Sequence, residues 1–202
     1  MQREDESRVS EPVLESLEIP RPTTRFANAP IVVADVERET VVAYDQFATK
    51  LRAFAISATR DGAAADDLVQ ESFLRYVVEL KAGRPPTSPG GWLYRTCANL
   101  IVSRGRRRTV ADRMRGLLAR RDVEPSPEDH ALASERDRTL AIALSKLPAD
   151  ARVALLLAAR GMGAEEIGVA IHRSAGATRT YLFRSRVRLR DELAALGIEA
   201  ER

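Results

Sequence analysis

The chain has 202 residues, 32 Lys plus Arg against 29 Asp plus Glu, a formal net charge of +3 and a single cysteine. That length allows one or two domains; one cysteine excludes an internal disulfide, and with two histidines it leaves no basis for a zinc site or another metal. No apolar run is long enough to cross a membrane, and the polar start MQREDESRVS is no secretory signal, so a cytoplasmic protein without membrane insertion is expected. Charge is unevenly spread: residues 1–40 hold nine acids and five arginines, whereas residues 80–111 hold seven basic residues and no acid. An acidic head with a basic middle and end suggests a nucleic-acid surface.

Residues 1–39 are rich in charge and proline (Pro12, Pro20, Pro22, Pro30) and lack a sustained period, so they read as a largely disordered extension; Ile31-Val32-Val33 is a short strand or docking patch at most. From about Thr40 to Thr59, Val41, Tyr44, Phe47, Leu51, Phe54 and Ala58 recur at helical spacing, and Asp61-Gly62 ends that helix. A second helix follows from about Ala64 to Lys81, with an apolar stripe of Val69, Phe73, Tyr76, Val77 and Leu80. Its acids Asp66, Asp67 and Glu71 complement the helix dipole or are simply solvated.

The stretch AGRPPTSPGG, residues 82–91, reads as a loop. GWLYRTCANLIVSRGRRR then resumes the helical period and ends in an arginine block. A proline-rich loop, an aromatic-bearing helix and arginines suit single-stranded nucleic acid, with arginine on the backbone and aromatic faces on unstacked bases. Trp92 and Tyr94 are equally at home as core anchors. Lone Cys97, among apolar neighbours, reads as a small core residue. Residues 109–136 read as a linker in which MRGLLAR forms at most a short helix.

Residues 137–195 form the last domain, with 196–202 as a tail. Pro148 suits a first helical turn, the apolar run Val153 to Ala159 stops at Gly161 and Gly163, and Glu165 and Glu166 open a short helix. His172-Arg173 breaks it, and histidine tolerates unusual turn angles. Ser174 is an N-cap for a third helix, and no acid occurs from Arg173 to Arg190. Two short helices, a tight turn and a basic second helix make a helix-turn-helix, a device for setting a helix in the DNA major groove. The expected fold is all-α: two small helical domains, 40–108 and 137–195, joined by a flexible linker. No nucleophile–base pair or phosphate-binding glycine loop is present, and His130 and His172 lie in linker and turn, so neither an enzyme nor a cofactor is expected.

Three ordered motifs resemble the extracytoplasmic-function group of the sigma-70 family of RNA polymerase sigma factors. DDLVQESFLRYV is similar to region 2.2, WLYRTCANLIVSRGRRR to regions 2.3 and 2.4, and residues 147–190 to region 4. The resemblance implies transcription initiation with core RNA polymerase on promoter DNA, and it leaves room for an anti-sigma factor as a further partner. It implies that Asp66, Asp67, Leu68, Gln70, Glu71 and Arg75 face polymerase. The −10 element would be melted and read with the loop 82–91, Trp92, Arg95, Asn99, Arg104, Arg106, Arg107 and Arg108. The −35 element would be met by Ser174, Gly176, Thr178, Arg179, Thr180, Tyr181, Arg184 and Arg186, with Arg179 suited to two-pronged pairing with guanine. Departures are Ser103 near a common aspartate, Arg173 in place of an apolar turn residue, and Gly163 in place of a hydroxyl cap. A linker of about 28 residues reaches roughly 90 Å, comparable with two elements about 25 base pairs apart at 3.4 Å per step. The alternative is a stand-alone helix-turn-helix regulator, which would bind duplex DNA without polymerase.

Overall fold

Seven helices are described in the computed structural model, which covers residues 33–114 and 135–198, with side chains over 35–107 and 137–198. Among the described residues there is no strand, as expected for an all-α chain. The extension before residue 33, most of the linker and the last four residues of the tail lie outside the described residues.

Helix α1 spans Val33–Thr59, two turns longer than its apolar period suggests. Val36 explains the difference: it is buried, its carbonyl accepts from Thr40 Oγ1 at 2.7 Å, and Arg38 pairs with Asp35 at 2.8 Å. The inward stripe is Val36, Ala43, Leu51, Phe54, Ala55 and Ala58, with Phe47 partly buried. Val41 and Tyr44, expected in that stripe, are 57% and 55% exposed. Tyr44 instead lies at the edge of the bundle, its ring 5.1 Å from that of Phe73.

The stop between α1 and α2 is made by Arg60, at φ 63, rather than by Gly62. Asp61 is the N-cap of α2, Gly62–Lys81, accepting from Ala64 N at 2.9 Å. Helix α3 spans Pro89–Met114. It therefore takes Pro89-Gly90-Gly91 from the expected loop and residues 109–114 from the expected linker. Its start has a local cause: Ser88 Oγ accepts from Gly91 N, Ser88 O accepts from Trp92 N, and Pro89 suits a first turn where no N–H is needed. Gly90 lies under the Phe47 ring, where a Cβ would fall 2.6 Å from Phe47 Cε1.

Helices α4 (Glu135–Ser145), α5 (Ala149–Ala158), α6 (Ala164–Ile171) and α7 (Ala175–Ala195) form the second group. The described residues belong to one compact unit, and the two groups pack against each other through α3 and α1 on one side and α5 and α6 on the other. One buried apolar cluster includes residues of both, from Leu51, Phe54 and Leu93 to Val153, Leu157 and Ile167.

Two residues give direct checks on this core. At Gly168 in α6 an added Cβ would lie 2.6 Å from the carbonyl oxygen of Arg173, a backbone atom that cannot swing aside. Gly168→Ala is expected to destabilise the fold by about 1–3 kcal/mol through overpacking, read as a lower Tm by calorimetry. Cys97 is fully buried, and burial pushes its thiol up to about 12, against weaker opposing effects of Ser72 and Arg104. At pH 8 the native chain should not react with a thiol reagent, whereas the denatured chain should titrate one thiol, because the thiolate is the reactive form.

Candidate nucleic-acid and polymerase interface

The helix-turn-helix is built from α6, its turn and α7. Glu165 and Glu166 stand in the first turn of α6, and Glu166 Oε2 accepts from Gly163 N at 3.2 Å. Gly163 has no side chain, so only this half of a capping box exists. His172 ends α6 at φ 57 and ψ 53, and Ser174 Oγ accepts from Ala177 N at 3.3 Å at the head of α7. Thus the expected turn and cap are both present.

Helix α7 has two faces. Thr178, Leu182 and Ser185 are buried, with Tyr181 and Leu189 partly so. Ser174, Gly176, Arg179, Thr180, Arg184 and Arg186 are exposed. Thr178 corrects the expected set: it is fully buried, its hydroxyl donates to Ser174 O at 2.8 Å, and it meets the turn rather than solvent. Tyr181 is half-buried, with the Arg173 guanidinium 4.1 Å from its ring centroid. Phe183, absent from the expected set, is 67% exposed among the outward arginines. Its position four residues after Arg179 was the available signal.

On α2, Asp66, Asp67, Gln70 and Arg75 are exposed, and Glu71 accepts from Arg75 at 2.7 Å. Leu68 corrects the expected surface: it is 1% exposed and supports that surface from beneath. Leu74 and Val78 are the large apolar side chains exposed beside these polar groups, and the sequence reading passed over them. Two of the acids already have partners, Asp66 with Arg52 at 2.6 Å and Asp67 with Arg104 at 3.9 Å.

On α3, Trp92 is partly buried against the core, its ring 5.9 Å from that of Tyr76, and Ser103 Oγ donates to Asn99 Oδ1 at 3.3 Å. Arg104, Arg106 and Arg107 are exposed; the side chain of Arg108 lies outside the described residues. Two arginines reach across to the second group. Arg95 pairs with Glu166 at 2.7 Å, and Arg106 donates to Ile171 O, at the end of α6, at 2.9 Å.

Two more arginines complete this seam from the other side. Arg152 Nε donates to Ala58 O at 2.9 Å, and Arg160 lies over Phe54 and Tyr94, at 5.0 and 4.6 Å from their ring centroids. Phe54 and Tyr94 meet edge to face, with centroids 5.3 Å apart. Each polar contact is modest. A partly exposed ion pair is worth about 0–1 kcal/mol, and an exposed cation–π contact about 0.5–1 kcal/mol. Among the described residues, no group of His, Cys, Asp and Glu could hold a metal ion, and no helix is long and apolar enough to cross a membrane.

Comparison with known proteins agrees with this geometry. Residues 43–110 match the Sigma-70 region 2 family. An extracytoplasmic-function RNA polymerase sigma factor, EcfG of Rhodopseudomonas palustris, is 35% identical over 152 residues, covering 74% of this chain and 82% of that protein. A probable RNA polymerase sigma factor of Xanthomonas campestris, RfaY, is 34% identical over 147 residues, covering 70% of this chain, which spans only 37% of that protein's length. The crystallised sigma factor RpoE of Bartonella quintana, in complex with the anti-sigma factor NepR, superposes with a TM-score of 0.61 at 25% identity, covering 80% of this chain and 98% of that one. The chain belongs to the extracytoplasmic-function group of the sigma-70 family of RNA polymerase sigma factors. A stand-alone helix-turn-helix regulator is not favoured, because the likeness extends over both helix groups.

The seam yields its own check. Glu166→Gln together with Arg160→Ala removes an ion pair and both ring contacts. The expected result is faster amide exchange in α6 and a larger radius of gyration by small-angle scattering; an unchanged radius and unchanged exchange would count against the seam.

Proposed function

We propose that this chain confers promoter specificity on core RNA polymerase, as a non-catalytic initiation factor acting in the cytoplasm with the enzyme. Helices α1–α3 serve as the region 2 domain and α4–α7 as the region 4 domain. The polymerase surface is the exposed side of α2, with Asp66, Asp67, Gln70, Glu71 and Arg75, and with Leu74 and Val78 supplying apolar contact. A polar surface with a few apolar anchors is what a dissociable partner needs, since charge complementarity selects the partner and buried apolar groups hold it.

The observation that carries the reading is the two-faced α7, on a chain that also holds a region 2 domain. Its outward Arg179, Thr180, Phe183 and Arg186 meet the −35 element. Arginine pairs two-pronged with guanine, and an aromatic ring suits a thymine methyl. Ser174 and Gly176, at the head of the helix, and Arg184 meet phosphates. Arg95, Asn99 and the arginines from 104 to 108 act on the −10 element, where holding a flipped base must offset a few kcal/mol of unstacking.

Promoter engagement then exchanges contacts. Arg95 and Arg106 leave Glu166 and Ile171 O for DNA, and the two groups part to span both elements. Helix α3 consumes part of the expected linker, so the stretch between Met114 and Glu135 extends to about 70 Å at most. The reach of each domain covers the remainder of the roughly 85 Å between elements, at 3.4 Å per base-pair step. An anti-sigma factor is a further partner on the likeness to the Bartonella protein, which was crystallised with one.

The test is transcription with purified bacterial core polymerase on genomic DNA, followed by mapping of start sites. Discrete start sites sharing two sequence elements are expected, and Arg179→Ala should lower initiation there by about ten-fold or more, the value of one good base contact. A chain that neither binds core nor redirects start sites would sink this reading.

A further inference from the structure

The turn of the helix-turn-helix contains an arginine where an apolar residue is usual, and the structure accounts for it. Arg173 leaves the end of α6 with its N–H donating to Gly168 O at 2.9 Å. Its guanidinium then reaches α5, where Nη2 stands 3.3 Å from Asp150 Oδ2. The same guanidinium covers the Tyr181 ring on α7 at 4.1 Å. One side chain therefore ties together the first turn of α5, the turn after α6 and the second turn of α7.

Asp150 is a firm anchor. Its other carboxylate oxygen accepts from Ala151 N at 3.1 Å, and the carboxylate sits in the first turn of α5, where the helix dipole favours an anion. Burial, and then Asp150 beside it, raise the Tyr181 hydroxyl above the ordinary tyrosine range. Helix α7 is seated shallowly: within it only Thr178, Leu182 and Ser185 are buried, with Tyr181 and Leu189 partly so. Shallow packing alone leaves the roll of a helix about its axis weakly determined. A roll of a few degrees moves the tip of a long arginine by more than a hydrogen bond tolerates.

We propose that Arg173 is a positioning residue: held between the Asp150 carboxylate and the face of the Tyr181 ring, it fixes the roll of α7 against α5 and thereby sets discrimination at the −35 element, without itself contacting DNA. This rests on the reading of α7 as the −35 helix. Tyr181 serves as the platform for the clamp rather than as a base contact.

The experiment uses the full chain with core polymerase, on a promoter taken from its own mapped start sites and on the same promoter with its −35 bases exchanged. Arg173→Ala and Asp150→Asn should each lower the ratio of initiation at the parent over the exchanged promoter by about three- to ten-fold, a fraction of what a base contact supplies. Arg173→Lys, which keeps the charge, should restore part of it, and affinity for core should not change. Both promoters are read with one protein preparation, so a loss of folded protein cancels in the ratio. Should Arg173→Ala fold poorly, Asp150→Asn, which is isosteric, carries the test.

A phosphate contact predicts something different. Losing one lowers the salt slope of DNA affinity by about one, and freeing Arg173 by Asp150→Asn would then strengthen binding. Opposite effects of the two variants, with a shallower slope for Arg173→Ala, overturn the proposal. So does unaltered discrimination in both variants while Arg179→Ala loses it. If the parent chain itself ignores the exchanged bases, the −35 reading fails and the clamp falls with it.

Discussion

Helix α3 is the constraint on which the rest of this structure depends. It packs on α1 and α2 along one side and on α5 and α6 along another. Leu93, Cys97, Ala98, Leu100, Ile101 and Val102 are buried, leaving little room on its inward faces for anything larger. Its polar rim is basic, and that rim is divided between two tasks. Arg95 and Arg106 hold the second helix group, whereas Arg104 and Arg107 are exposed, Arg104 facing Asp67 of α2. On the proposed function, a helix that is both the centre of a bundle and a nucleic-acid surface has to use its arginines twice.

The seam is suited to that double use. Arginine offers several donors in a fixed fork, so it can exchange a carboxylate or a carbonyl for a phosphate with little change in its own geometry. The polar contacts across the seam are few and partly exposed, and each is of the size that salt or a competing anion can replace. The apolar part is more demanding, since the buried cluster runs through both helix groups. Parting the groups exposes apolar surface at roughly 25 cal/mol per Å², so the separated state gains from a partner that covers it. On the proposed function, that partner is core polymerase.

The second helix group solves a different problem. A recognition helix must leave one face open, and α7 is buried only through a narrow strip. Its start is anchored by Ser174 as cap, by the close seat of the turn on Gly168 and by buried Thr178 beneath it. Arg173 adds an ionic and aromatic tie that reaches from this start to α5 and to the Tyr181 ring.

Much of this was legible in the residues. Periodicity located the helices, because an amphipathic helix must repeat its apolar side chains near every third or fourth position. The His172 stop, the Ser174 cap and the acids at the head of α6 are local chemistry, decided by backbone angles and hydrogen bonds within a few residues, and they could be read in order. The outward set on α7 came instead from the family resemblance, and there Thr178 and Tyr181 could not be told from their exposed neighbours. Only packing decides which side of a helix is turned inward. For the same reason the α1 stripe fell on Val36 and Ala43 rather than on Val41 and Tyr44, and Leu68 went inside. What only the tertiary structure decided are the pairings between distant residues: Arg95 with Glu166, Arg106 with Ile171, Arg152 with Ala58, and Arg173 with Asp150. A charged side chain shows in sequence that it will seek a partner. Which partner it finds depends on how residues 23 to 94 positions apart along the chain come to share a surface, and no local pattern encodes that.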